Sequence, residues 1–173
     1  MDADGHAGIA GRTIVALIGL ALSAGVLTAC SAGTARSCDE QATLANALAD
    51  DEVFSRISVS SRSTEEYTNY PCQDNSGGSL VTAGKRYGLQ RSLTFEGLRD
   101  LATRSASSAR WRPIAEIRPT DPGSGNDAHL CYRSATGEEP QYLRFHTTQS
   151  EPFYLYVEVS QAENEVEMCP KPG

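Results

Sequence analysis

Between Gln141 and Ser160 the chain reads QYLRFHTTQSEPFYLYVEVS, two short runs either side of a polar, Pro-containing loop. In the first run Leu143 and Phe145 alternate with Tyr142, Arg144 and His146. In the second, Phe153, Leu155, Val157 and Val159 alternate with Tyr154, Tyr156 and Glu158. Successive side chains of a strand point to opposite faces, so this period of two predicts a hairpin of Gln141–Thr147 with Phe153–Ser160, aliphatic on one face and polar-aromatic on the other. Setting Phe145 opposite Leu155 predicts Leu143 opposite Val157 and Thr147 opposite Phe153. On the other face it predicts Tyr142 with Glu158, Arg144 with Tyr156 in a cation–π contact, and His146 with Tyr154. A slip by one residue would bury the polar row and expose the aliphatic one, so the assignment of faces is strongly specified.

Upstream, the same reasoning predicts strands at His129–Arg133 and Pro113–Arg118, separated by the turn-forming stretch TDPGSGND at 120–127. Leu80–Leu89 places Val81, Ala83, Tyr87 and Leu89 at odd positions, a half-buried strand interrupted by Lys85. Thr94 can cap a helix whose Phe95, Leu98, Leu101, Ala102 and Ser105 share one face. Ser37 followed three residues later by Glu40 is a capping box, and Leu44, Ala45 and Leu48 recur at helical spacing, which predicts a helix from Cys38 to about Asp50. Residues 55–78, rich in Ser, Thr, Asn, Gly and Asp, read as irregular coil with one edge strand at Ile57–Ser60. Helix, strand, helix and four strands in that order predict an α+β fold: one antiparallel sheet with helices packed on one face, a two-layer sandwich.

The chain's 173 residues hold one ordinary domain plus a short targeting segment. With 39% hydrophobic and 21% charged residues the composition is that of a globular protein. The formal net charge is −7, and the 15 basic residues form no cluster, so the long-range field opposes nucleic acid.

At the N-terminus Thr13–Leu27 reads TIVALIGLALSAGVL, apolar and small, without charge, after a segment ending in Arg12. At 1.5 Å per residue this run spans roughly 22 Å, shorter than a transmembrane helix needs and suited to the apolar core of an export signal. Leu27, Thr28, Ala29 and Cys30 then form a lipobox, and in these residues the chain resembles a bacterial lipoprotein precursor. The general layout is similar to that of small lipoproteins of GC-rich Gram-positive bacteria. The resemblance implies cleavage before Cys30, lipidation of its thiol, and an extracytoplasmic domain held on the cell membrane, since two acyl chains anchor stably where one does not. The implied organisation is a signal peptide at 1–29, a lipidated tether at 30–37, and a single α+β domain at 38–173. Asp2, Asp4 and Arg12 leave with the signal peptide, so the acidic character belongs to the domain.

Five cysteines are an odd number, which lipidation of Cys30 resolves. Cys38, Cys72, Cys131 and Cys169 are then expected to form two disulfides in an oxidising compartment. No pair has the CxxC spacing of structural zinc sites. Cys38 with Cys169 would fasten both ends of the domain, and Cys72 with Cys131 would tether the long coil to a strand; this is the pairing expected.

The sequence contains no GxSxG, SxxK or HExxH motif, so no enzyme activity, cofactor or metal is expected. His129 and His146 fall at neighbouring strand ends. They are the residues on which the competing reading, a small envelope hydrolase, would rest, and the pair could hold a metal with Asp127 or Glu151 beside it. Exposed histidines without such a role are the commoner arrangement. More informative is the polar face of the last hairpin. Tyr142, Arg144, His146, Tyr154 and Tyr156 combine large contact area with polar tips, the residue types that recur at recognition surfaces. The sequence therefore predicts a membrane-anchored binding or accessory module for a protein or cell-envelope component.

Overall fold

The computed structural model describes residues 36–74, 80–121, 126–137, 139–162 and 169; the expected lipobox with Cys30 lies outside them. Among the described residues four helices, α1 (Cys38–Ala49), α2 (Glu52–Arg56), α3 (Pro71–Asp74) and α4 (Phe95–Ser105), accompany six strands: β1 (Ser61–Asn69), β2 (Val81–Leu89), β3 (Trp111–Ile117), β4 (Ala128–Ser134), β5 (Gln141–Thr147) and β6 (Tyr154–Gln161). The strands form one antiparallel sheet in the order β1-β2-β6-β5-β4-β3. The last four make the expected meander, and β2 adds to its β6 side.

Local signals place the two longer helices. The Ser37 side chain accepts from the Glu40 backbone N–H at 3.3 Å while the Glu40 carboxylate accepts from the Ser37 N–H at 2.7 Å, closing the capping box of α1. Thr94 caps α4 by accepting from Gly97 N–H at 3.1 Å. Ala45 and Leu48 of α1, Val53 and Phe54 of α2, and Leu98, Leu101 and Ala102 of α4 join Leu130, Leu143, Phe145, Leu155, Val157 and Val159 of the sheet in one buried cluster. Lys85, the interruption in β2, sits in that inward row. Its stem lies along the core while its ammonium stands 5.7 Å from the Phe54 ring centre and pairs with Glu66 on the edge strand.

Three expectations need correction. The expected coil over 55–78 with a strand at Ile57–Ser60 is replaced, over its described residues 55–74, by the end of α2, then β1 over Ser61–Asn69, then α3. The stretch SRSTEEYTN is an edge strand, mostly exposed, so it carries no apolar alternation to betray it.

The disulfides are Cys38–Cys72 and Cys131–Cys169, with Cα separations of 5.5 and 5.8 Å, rather than the end-to-end pairing. Packing of α3 against α1, where the Gln41 side chain accepts from Cys72 N–H at 3.1 Å, brings the first pair together. Cys131 lies on the face of β4 opposite the cluster that holds α1, so a bridge of ordinary length cannot reach it from Cys72.

The last hairpin keeps the predicted faces but shifts by two residues: Leu143 faces Val159, Phe145 faces Val157, Arg144 faces Glu158 and His146 faces Tyr156. A two-residue step leaves every side chain on its own face, so the aliphatic pattern cannot choose between the registers. Opposite charges directly across the strands favour the observed one.

Candidate functional site

On the face of the sheet opposite the aliphatic cluster, the pairings align side chains from five strands. One cross-strand row runs Glu65, Arg86, Tyr156, His146 and His129. The next runs Tyr67, Gly84, Glu158, Arg144 and Cys131. Between them lies an open cleft of about 420 Å³, whose walls include Tyr67, Arg86, Arg144, His146, Tyr156 and Glu158.

Gly84 makes the second row possible. A Cβ at this position would stand 2.6 Å from Cζ of Tyr67, because the tyrosine ring lies across the glycine. By crossing β2 there, Tyr67 delivers its hydroxyl to Glu158 Oε1 on β6 at 2.8 Å. The same carboxylate receives Arg144 from β5 through Nε at 2.7 Å and through a second guanidinium nitrogen. Burial, followed by the charge and hydrogen bond of Glu158, pushes the Tyr67 phenol far above its ordinary pKa, so it remains a donor. Three strands are thus tied together by one carboxylate.

In the first row Arg86 pairs with Glu65 and stands 5.1 Å from the ring centre of Tyr154. Tyr156 stacks on His146 at 5.3 Å, and His146 stacks on His129 at 4.3 Å with the imidazole planes 3° apart. Asp127, immediately before β4, lies 3.2 Å from His146 Nε2. Burial, and then the positive field of His146 and Arg144, lowers the pKa of His129 to about 4, so its ring is neutral near neutral pH.

Arg144, His146, Tyr154 and Tyr156 therefore stand together, half-buried, on this face. Tyr142 does not belong with them. It has the right parity but is only 2% exposed, packed with Ala162 and with the Cys131–Cys169 disulfide, which cover it. The expected Arg144–Tyr156 contact is also absent: Arg144 is engaged by Glu158, and Arg86 supplies the cation over a tyrosine, Tyr154. Glu65, Tyr67 and Arg86 were missing from the sequence-predicted face. The signal that could have found them is Gly84 in the middle of a strand, which marks a close approach, beside the strand-forming Thr and Tyr of SRSTEEYTN.

Chemically, the site offers two carboxylate-paired guanidiniums, a ladder of stacked rings, and a His–His–Asp group at one end. No helix among the described residues is long and apolar enough to cross a membrane. Compared with known protein families and with curated proteins, the sequence matches none.

Proposed function

We propose that the protein is a membrane-anchored extracytoplasmic lipoprotein whose polar sheet face binds a protein or cell-envelope component. The anchor is the lipidated Cys30, and the stretch 30–37 is a tether that lets the domain stand off the membrane. In this reading the helices occupy one side of a two-layer sandwich, which frees the other side for recognition.

The observation that carries the proposal is the Glu65-Arg86-Tyr156-His146 row beside the cleft, with Tyr154 flanking it. Aromatic and Arg side chains held in place by neighbours lose little entropy on binding and bring large contact area, which is what recognition hot spots use. The two disulfides fit an oxidising compartment.

Two experiments test the reading. Intact mass of the membrane-fraction protein should show loss of residues 1–29 and gain of acyl mass, and Cys30→Ala should release or misprocess the chain. An unmodified Cys30 in a soluble mature form removes the anchor. Crosslinking on intact cells should capture a partner through the native face, and Tyr154→Ala with Tyr156→Ala should abolish the capture with little change in thermal stability. Unchanged capture by that double variant removes the binding face.

A further inference from the structure

We propose that Asp127, His129 and His146 form a binding site for a single divalent transition-metal ion of the zinc type. The inference rests on the tertiary placement of these three residues and is independent of membrane anchoring. His129 and His146 are direct cross-strand partners on β4 and β5, so the pleat sends both rings to one face. Asp127 precedes His129 by two residues, and its carboxylate reaches His146 Nε2 at 3.2 Å. One ligating atom from each of the three lies within 4.8 Å of the other two.

The donor set favours this class of ion. Two imidazoles and one carboxylate are borderline ligands, suited to Zn²⁺ and its first-row neighbours rather than to the all-oxygen preferences of calcium and magnesium. Donors about 2.0–2.2 Å from a tetrahedral zinc stand roughly 3.2–3.6 Å from one another. The Asp127–His146 separation already meets this, and the widest remaining gap closes with about an ångström of side-chain movement.

A further feature points the same way. Nδ1 of His129 is buried with no hydrogen-bond partner among the described residues, and an unpaired imidazole nitrogen can donate its lone pair to a metal ion. The rings are also held side by side, with Tyr156 stacked on His146 and His146 on His129; because an imidazole binds a metal in its own ring plane, the two parallel rings must tilt toward each other as the ion binds. Three protein ligands leave one tetrahedral position for water or an incoming donor. Because His146 also lines the cleft, the ion would stand at the cleft's β4 end. The chemical class it would recruit there is a ligand with a carboxylate, phosphate or imidazole donor.

The test uses the full-length, untagged chain in detergent micelles, stripped with a chelator and dialysed. Titration with Zn²⁺ followed by calorimetry should show one site per chain, and Co²⁺ should give the visible absorption of a low-symmetry tetrahedral site. Asp127→Asn and His129→Ala should each weaken Zn²⁺ binding at least tenfold, whereas Glu151→Gln, in the neighbouring loop, should leave it unchanged. Circular dichroism confirms that the variants fold. If His129→Ala does not, the near-isosteric Asp127→Asn and the wild-type Co²⁺ spectrum carry the test. Absence of binding by the wild-type chain overturns the proposal. So does binding that survives both Asp127→Asn and His129→Ala, or that depends on Glu151 and not on Asp127.

Discussion

On one face of β5 and β6, Leu143, Phe145, Leu155 and Val157 are wholly buried; on the other, Arg144 meets Glu158 and His146 meets Tyr156. The buried face supplies much of the stability, about 1.5–3 kcal/mol for each large apolar side chain removed from water. Yet it is nearly indifferent to a two-residue slide, because aliphatic residues still meet aliphatic residues. The opposite face is intolerant of it. A slide by two sets Arg144 against Tyr156 and moves Glu158 out of reach of its guanidinium, leaving half-buried charges poorly paired. Apolar burial thus holds the hairpin together, while directional polar contacts select its register.

The largest expected effect is on the buried face. Phe145→Ala opens a cavity at a fully buried position and should lower unfolding free energy in urea by about 3–5 kcal/mol. A much smaller loss would mean that the sheet repacks there, and would weaken the division of roles between the faces.

Next comes Glu158→Ala, which strands both the Arg144 guanidinium and the Tyr67 hydroxyl and should cost about 2–3 kcal/mol. Its sharper readout is structural: cross-strand proton contacts by NMR should show register heterogeneity between β5 and β6 that Phe145→Ala does not produce. A single unchanged register in Glu158→Ala would break the claim that the polar face selects it.

Gly84→Ala should cost about 1–2 kcal/mol by driving the Tyr67 ring away from Glu158. In a Tyr67→Ala background the same substitution should become neutral or stabilising by up to about 1 kcal/mol, since a strand glycine then has no ring to admit. Additive costs would show that the ring crossing is not the reason for the glycine.

The smallest effect is alkaline. Burial raises Tyr87 on the core face to about 12, and Tyr67 on the opposite face is raised as well. The unfolded chain loses these protons first, at its ordinary value near 10, so the stability each contributes is full below pH 10 and is lost as pH climbs toward 12. Between pH 9 and 10.5 the loss should stay under about 1 kcal/mol per tyrosine, read from denaturation midpoints, and Tyr67→Phe should remove its share. A stability rising with pH over that interval would contradict the burial of both phenols.

How far the molecule was legible differs by element. The capping box at Ser37 and Glu40, the Thr94 cap, and the alternation of Gln141–Ser160 were readable because each signal is local: a donor and its acceptor three residues apart, or side chains two apart on one strand. The β1 strand was not readable, because an exposed edge strand has no buried face to pattern it. With β1 hidden, Glu65, Tyr67 and half of the candidate face were hidden too. Tyr142 was misplaced for a different reason: its parity is correct, but Ala162 and the Cys131–Cys169 disulfide cover it, and no spacing along the chain encodes that cover.

By itself the sequence determined the parity of β2, β5 and β6, the start of each long helix, the even count of cysteines after Cys30, and the grouping of Arg144, His146, Tyr154 and Tyr156 on one face. Those follow from backbone periodicity and from contacts between near neighbours. Tertiary structure alone decided which cysteines pair, which of two parity-equivalent registers the hairpin takes, and that Tyr67 reaches Glu158 across Gly84 while Asp127, His129 and His146 converge. These depend on distances between residues far apart in the chain, which only packing of the sheet and the helices against one another sets.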